Sequence, residues 1–250
     1  MSSNRTGEII FKKVSKKYNI SSVRHALLVE LIGNLFNPKK ENYLNKKNQI
    51  WALKDLTFTI NPGEAVGIIG RNGAGKSTIL KLISKVVYPT LGSITINGRI
   101  GALIELGAGL HPELTGKENI FLYGAILGMT RKEIKRKFDE IVDFAELDKF
   151  LDTPIKHYSS GMNARLGFSV AAFTNPDILL IDEVLAVGDI SFQNKCFAKM
   201  DEIKNSGATL VFVSHNPEYI KRICNKVIWL EKGKVKKIGK PETLLKEYLK

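Results

Sequence analysis

The chain has 250 residues and a mass of 27.9 kDa, enough for one complete α/β domain, or one domain with a small subdomain. Its formal net charge of +13 is uneven: residues 1–50 carry +7 and residues 231–250 carry +4, a footprint suited to an anionic surface, either nucleic acid or phospholipid headgroups. Cys196 and Cys224 fall in no disulfide or zinc spacing, no apolar run approaches ~18 residues, and the N-terminus MSSNRTGEII lacks an apolar signal core, so the chain is expected not to cross a membrane by itself.

In chain order, residues 8–14 (EIIFKKV) and 52–60 (ALKDLTFTI) read as strands, and Asn61-Pro62-Gly63 reads as a turn. Between the strands lies an insert, residues 19–50. Ser21 and Ser22 cap an expected helix carrying Val23, Leu27, Leu28, Leu31, Ile32, Leu35 and Phe36. Asn37-Pro38 stops it, and a basic loop with Lys39, Lys40, Lys46 and Lys47 follows. The apolar stripe must meet either the domain or a partner.

Residues 65–69 (AVGII) form a short buried strand pattern, and residues 77–87 repeat apolar side chains at helical spacing. The run between them, Gly70-Arg71-Asn72-Gly73-Ala74-Gly75-Lys76-Ser77, fits G-x-x-x-x-G-K-[ST] at every fixed position. A glycine-rich strand-to-helix turn lets backbone N–H groups surround phosphate oxygens, with the positive end of the helix dipole behind them. Contacts are expected from Gly70, Asn72, Gly73, Ala74, Gly75, Lys76, Ser77 and Thr78. Lys76 reaches the β and γ phosphates, and Ser77 ligates Mg²⁺. The chain is expected to bind a nucleoside triphosphate.

Further on, Thr115 with Glu118 and Thr130 with Glu133 have capping-box spacing and open a helical subdomain over about residues 105–170. Strands resume at 178–181, 208–213 and 226–230. Lys232-Gly233 turns a hairpin into Val235–Ile238, and Pro241 opens a last helix. Asp182 and Glu183 emerge at the carboxyl end of an apolar strand, where ligands sit in open α/β sheets. The first can hold the Mg²⁺ shell and the second can take a proton from the attacking water. His215 leaves a neighbouring strand at the same edge, within reach of a γ-phosphate; a structural histidine is the alternative.

Together these positions resemble the nucleotide-binding subunit of ABC transporters over nearly the whole chain. Tyr158-Ser159-Ser160-Gly161-Met162 lies where that family carries its L-S-G-G-Q signature, keeping Ser159 and Gly161 while Tyr158, Ser160 and Met162 replace Leu, Gly and Gln. Asp189, in Ala186-Val187-Gly188-Asp189, matches the D-loop aspartate, His215 the switch histidine, and Tyr18 the aromatic that stacks on adenine, with Trp51 as its rival. The family's glutamine at the junction with the helical subdomain is absent, and Glu105 lies nearest its place.

The resemblance implies a single P-loop NTPase domain of ABC type, α/β, with an N-terminal antiparallel β region and a helical subdomain. It also implies ATP and Mg²⁺ as cofactors, Glu183 as general base, and a head-to-tail homodimer in which each signature faces the ATP of the partner chain. ELGAGLHPELTGKEN, YSSGM and LAVGDISFQ narrow the likeness to ATPases of polysaccharide exporters, O-antigen first, with teichoic acid or capsular polysaccharide as alternatives. Such a subunit sits peripherally on the cytoplasmic face of the bacterial inner membrane, drives a polytopic permease and moves a lipid-linked polysaccharide. The appended carbohydrate-binding domain of some O-antigen ATPases is not expected in this chain. A soluble ABC-type ATPase acting on nucleic acid suits the basic pI, but such proteins usually carry two cassettes or a coiled coil. Nucleic acid is therefore not expected as a partner.

Overall fold

The computed structural model describes residues 6–19, 49–103, 109–182 and 189–249. The expected insert helix, Glu105 and Glu183 lie outside them.

Two sheets share one core. Strands β1 (Glu8–Asn19), β2 (Gln49–Ile60) and β4 (Leu91–Asn97) form an antiparallel sheet in the order β2-β1-β4. The second sheet runs β5 (Ile100–Leu103), β6 (Ile178–Ile181), β7 (Thr209–Val213), β3 (Ala65–Ile69), β8 (Lys226–Glu231) and β9 (Lys234–Gly239). All of its neighbours are parallel except the β8–β9 hairpin.

The central strands are apolar throughout because both of their faces are buried. Val66, Ile68, Ile178, Leu180, Val211, Val213, Ile228 and Leu230 face the antiparallel sheet and meet Ile9, Phe11, Val14, Leu56 and Phe58. The alternate residues Ala65, Ile69, Leu179, Ile181, Leu210, Phe212 and Val227 face the other way, into a core shared with the helices. Helix α1 (Lys76–Ile83) is sandwiched on the first side through Ile79, Leu80, Leu82 and Ile83.

Helices α2 (Gly116–Ile126), α3 (Arg131–Ala145) and α4 (Ser160–Ala172) pack on one another, and both expected capping boxes form at Thr115 and Thr130. Helices α5 (Ile190–Asn205), α6 (Pro217–Ile223) and α7 (Pro241–Tyr248) complete the chain, the last two opening on proline.

Three boundaries differ from expectation. β1 continues to Asn19 and β2 begins at Gln49, because Lys17 pairs with Trp51, Tyr18 with Ile50 and Asn19 with Gln49. The two ends of the insert are thus brought together by sheet pairing. The first helix ends at Ile83 rather than near residue 87. Lys85 takes a left-handed φ of 60°, and Val86 is 70% exposed although its spacing continues the apolar pattern. β4 and β5 are not apparent in the sequence.

A nucleotide cleft at the strand-to-helix turn

The loop Gly70–Gly75 leaves β3 and enters α1 between two other strands. Gly75 is the N-cap of α1 with φ 104°. A Cβ there would run into the Leu53 side chain and stand 2.9 Å from the Ala52 carbonyl oxygen. At Gly70 a Cβ would strike the Leu230 carbonyl. The helix begins without a side-chain cap and without an acidic residue in its first turn, so its leading N–H groups are available to an anion.

Beside this turn lies a cleft of about 480 Å³, lined by Asn72, Gly73, Gly75, Lys76, Ser77 and Thr78 from the loop and helix start. Tyr18, Ile50, Trp51 and Ala52 come from the β1–β2 hairpin, Asp182 from the end of β6 and Val213 from the end of β7. Three stretches distant in sequence meet here because β3, β6 and β7 are neighbours in a parallel sheet and end at the same edge.

Lys76 donates from Nζ to the carbonyls of Gly70 (2.8 Å) and Arg71 (3.3 Å), which folds the ammonium back along the loop. Burial lowers its pKa from the ordinary lysine value, and the Asp182 carboxylate pulls the other way. Ser77 and Asp182 are hard oxygen donors on one cleft, a pair that fits Mg²⁺ held jointly with phosphate oxygens and water. Among the described residues no three His, Cys, Asp or Glu side chains cluster as a self-sufficient metal site.

Tyr18 and Trp51 are 36% and 37% exposed, so both offer a ring to the cleft. Lys16 lies 5.2 Å from the Tyr18 ring centre and Lys17 lies 5.4 Å from that of Trp51. Ile50 and Ala52 were missed in the sequence. Only the register Tyr18↔Ile50 reveals them, and no local pattern carries it.

Gly70 and Ala74 belong to the loop but do not line the cleft, and Ala74 is buried. His215 is exposed two residues beyond Val213, just before Asn216, which caps α6 by accepting from the Glu218 N–H.

The signature residues lie elsewhere. None of Tyr158, Ser159, Ser160, Gly161 or Met162 lines the cleft of its own chain. Ser159 caps α4, accepting from the Met162 N–H at 3.1 Å, and both Ser159 and Ser160 are exposed. Tyr158 is buried, unlike the two serines. Its ring is 8% exposed, its hydroxyl donates to the Phe150 carbonyl at 2.7 Å, and burial raises its pKa. Met162 likewise packs against the helical core. Asp189 caps α5, accepting from the Phe192 N–H at 2.9 Å, and its carboxylate pairs with Arg165.

The model of the ABC transporter family matches residues 53–186, which contain the phosphate loop, the signature and the strand that leads to Asp182. This chain belongs to the ABC transporter family. It is therefore an ATP-hydrolysing cassette. It is 48% identical to the O-antigen export system ATP-binding protein RfbB of Klebsiella pneumoniae over 96% of both chains. Identity to the teichoic acids export ATP-binding protein TagH of Listeria innocua is 43%, over 96% of this chain and 69% of that one.

Among solved structures, the ATP-binding subunit of an ABC transporter superposes with a TM-score of 0.76 at 25% identity, covering 96% of this chain and 92% of the other. The dimeric bacterial ABC transporter cassette MJ0796 gives 0.71 at 25% identity over 93% and 98%. Among the described residues no helix is long and apolar enough to span a membrane.

Proposed function

We propose that this chain is the energy-coupling subunit of a polysaccharide exporter, and that its cargo is a lipid-linked O-antigen moved across the bacterial inner membrane by a separate polytopic permease. The observation that carries the reading is the 48% identity to an O-antigen export ATP-binding protein, which runs through 96% of both chains and is not confined to the phosphate loop. The 43% identity to a teichoic acid export ATP-binding protein supports a second cargo of the same kind, an anionic lipid-linked polymer.

In this reading ATP enters between the aromatic hairpin and the phosphate loop, with its base against Tyr18. Its phosphates lie on the α1 N-terminus, with Lys76 between the β and γ groups. Ser77 and Asp182 would hold Mg²⁺, which would supply charge neutralisation at the phosphates. Glu183 accepts a proton from the attacking water, and His215 addresses the γ-phosphate. Ser159, Ser160 and Gly161 do not line the nucleotide cleft of their own chain, so two copies pair head to tail and each signature helix completes the other's site. Glu105 takes the coupling role of the family's glutamine. The subunit is held at the cytoplasmic face by the permease.

Co-purification with the membrane protein encoded beside it tests this. The permease should raise the ATPase rate, and deletion of the chain should leave lipid-linked polysaccharide on the cytoplasmic leaflet. Normal surface polysaccharide in the deletion strain would refute the cargo.

A further inference from the structure

Arg165 lies on α4, six residues beyond the cap Ser159, and its guanidinium is shared by carboxylates from two other parts of the chain. Nη1 donates to Glu146 Oε2 at 2.6 Å and Nη2 donates to Asp189 Oδ2 at 2.5 Å, while the group lies 4.8 Å from the centre of the Phe192 ring. Its side chain is 18% exposed, against 48% and 60% for Glu146 and Asp189, so the cation is the covered centre of the cluster. Lys195, on α5, adds a second strap from Nζ to Glu146 Oε1 at 2.8 Å and to the Phe144 carbonyl at 3.1 Å.

The backbone of Glu146 points the same way. It ends α3 in the left-handed region at φ 58°, the place where glycine is the default residue because a side chain is strained there. A strained non-glycine residue persists where its surroundings hold it in place, a side chain's own contacts among them. Here that side chain is the carboxylate gripping both Arg165 and Lys195.

We propose that Arg165 is a positioning residue that clamps the helix opening on Ser159 to Asp189, the cap of the helix that follows the Asp182 strand. The proposal rests on the reading that Ser159 addresses a nucleotide on a second copy while Asp182 addresses the nucleotide of its own chain. Under it, the clamp holds the donor end of one site and the carboxylate side of the other in one fixed relation. A planar fork spans two carboxylates, whereas an ammonium is a point charge and cannot match both geometries.

Three variants of the full chain test it. Glu146→Gly removes the anchor and relieves the left-handed backbone at the same time, so the helix end is spared. Asp189→Asn keeps a cap acceptor of equal rank and removes the charge partner. Arg165→Lys keeps the charge and loses the fork. Each should lower kcat about tenfold, with the Kd for a fluorescent ATP analogue unchanged. Melting temperatures of Glu146→Gly and Asp189→Asn should stay within about 2 °C of wild type. The double variant Arg165→Lys/Asp189→Asn should be no slower than the worse single.

Wild-type kcat in Glu146→Gly and Asp189→Asn would overturn the clamp, as would a loss of turnover that only tracks melting temperature. Ser159→Phe reports on the underlying reading separately. Its inactivity alongside normal clamp variants sinks the clamp alone, and its full activity sinks the role given to the signature helix.

Discussion

Lys76 and Glu183 should separate binding from chemistry. Lys76 sits in the cleft, folded against its own loop carbonyls, so Lys76→Ala is expected to weaken nucleotide binding itself, read as a raised Kd by fluorescence titration. Glu183→Gln should leave binding intact and lower kcat by on the order of 10² to 10⁴-fold; near-normal turnover would remove Glu183 from the base role. Tyr18→Ala should raise the KM for ATP several-fold, since aromatic stacking is worth about 1 kcal/mol. If Trp51→Ala weakens binding and Tyr18→Ala does not, the base lies on the other ring, which is nearly equally exposed. The phosphate loop was legible because its fixed residue types answer to backbone geometry within eight consecutive positions. The hairpin wall was not, because Ile50 and Ala52 reach the cleft through pairing across the insert.

Helix starts were the most readable elements, since a capping box is written in four residues. Thr115 accepts from the Glu118 N–H at 3.2 Å, and the Glu118 carboxylate accepts from the Thr115 N–H at 2.9 Å. The same reciprocal pair forms between Thr130 and Glu133. Thr115→Ala should cost about 1 kcal/mol in urea unfolding. The backbone hydrogen bond from Thr115, then its side chain, lowers the Glu118 pKa, and Thr130 acts likewise on Glu133. A folded-state pKa below the unfolded value gives stability that is present above the unfolded pKa and lost as pH falls through the folded one. The penalty of Glu118→Gln, which removes the ionisable partner of the cap, should therefore shrink once pH drops below about 4. A penalty constant to pH 2 would contradict the ionised cap. β4 and β5 escaped notice for the opposite reason. Leu91–Asn97 is largely exposed and gains its strand state from antiparallel pairing with β1, and Ile100–Leu103 gains its own from lying beside β6.

The two-sided burial of β3, β6, β7 and β8 is the feature that joins fold to chemistry. It aligns four apolar strands and brings the phosphate loop, Asp182 and Val213 to a common edge. The apolar runs announced those strands, but their order depends on crossovers that no run encodes. The position of the signature was legible from the motif alone. That Tyr158 and Met162 turn inward was not, because their partners Phe150 and the helical core come from folding of the surrounding helices.

The central claim is that two copies of this chain build each ATP site together, the phosphate loop of one facing the signature helix of the other. Mixing two inactive variants, Lys76→Ala and Ser159→Phe, tests it most directly. In a mixed pair the intact loop of the second variant faces the intact signature of the first, so one complete site is regenerated. ATP turnover should rise well above either parent, toward about a quarter of the wild-type rate per chain, since half of randomly formed pairs are mixed and each holds one good site. A mixture no more active than its parents would contradict the account.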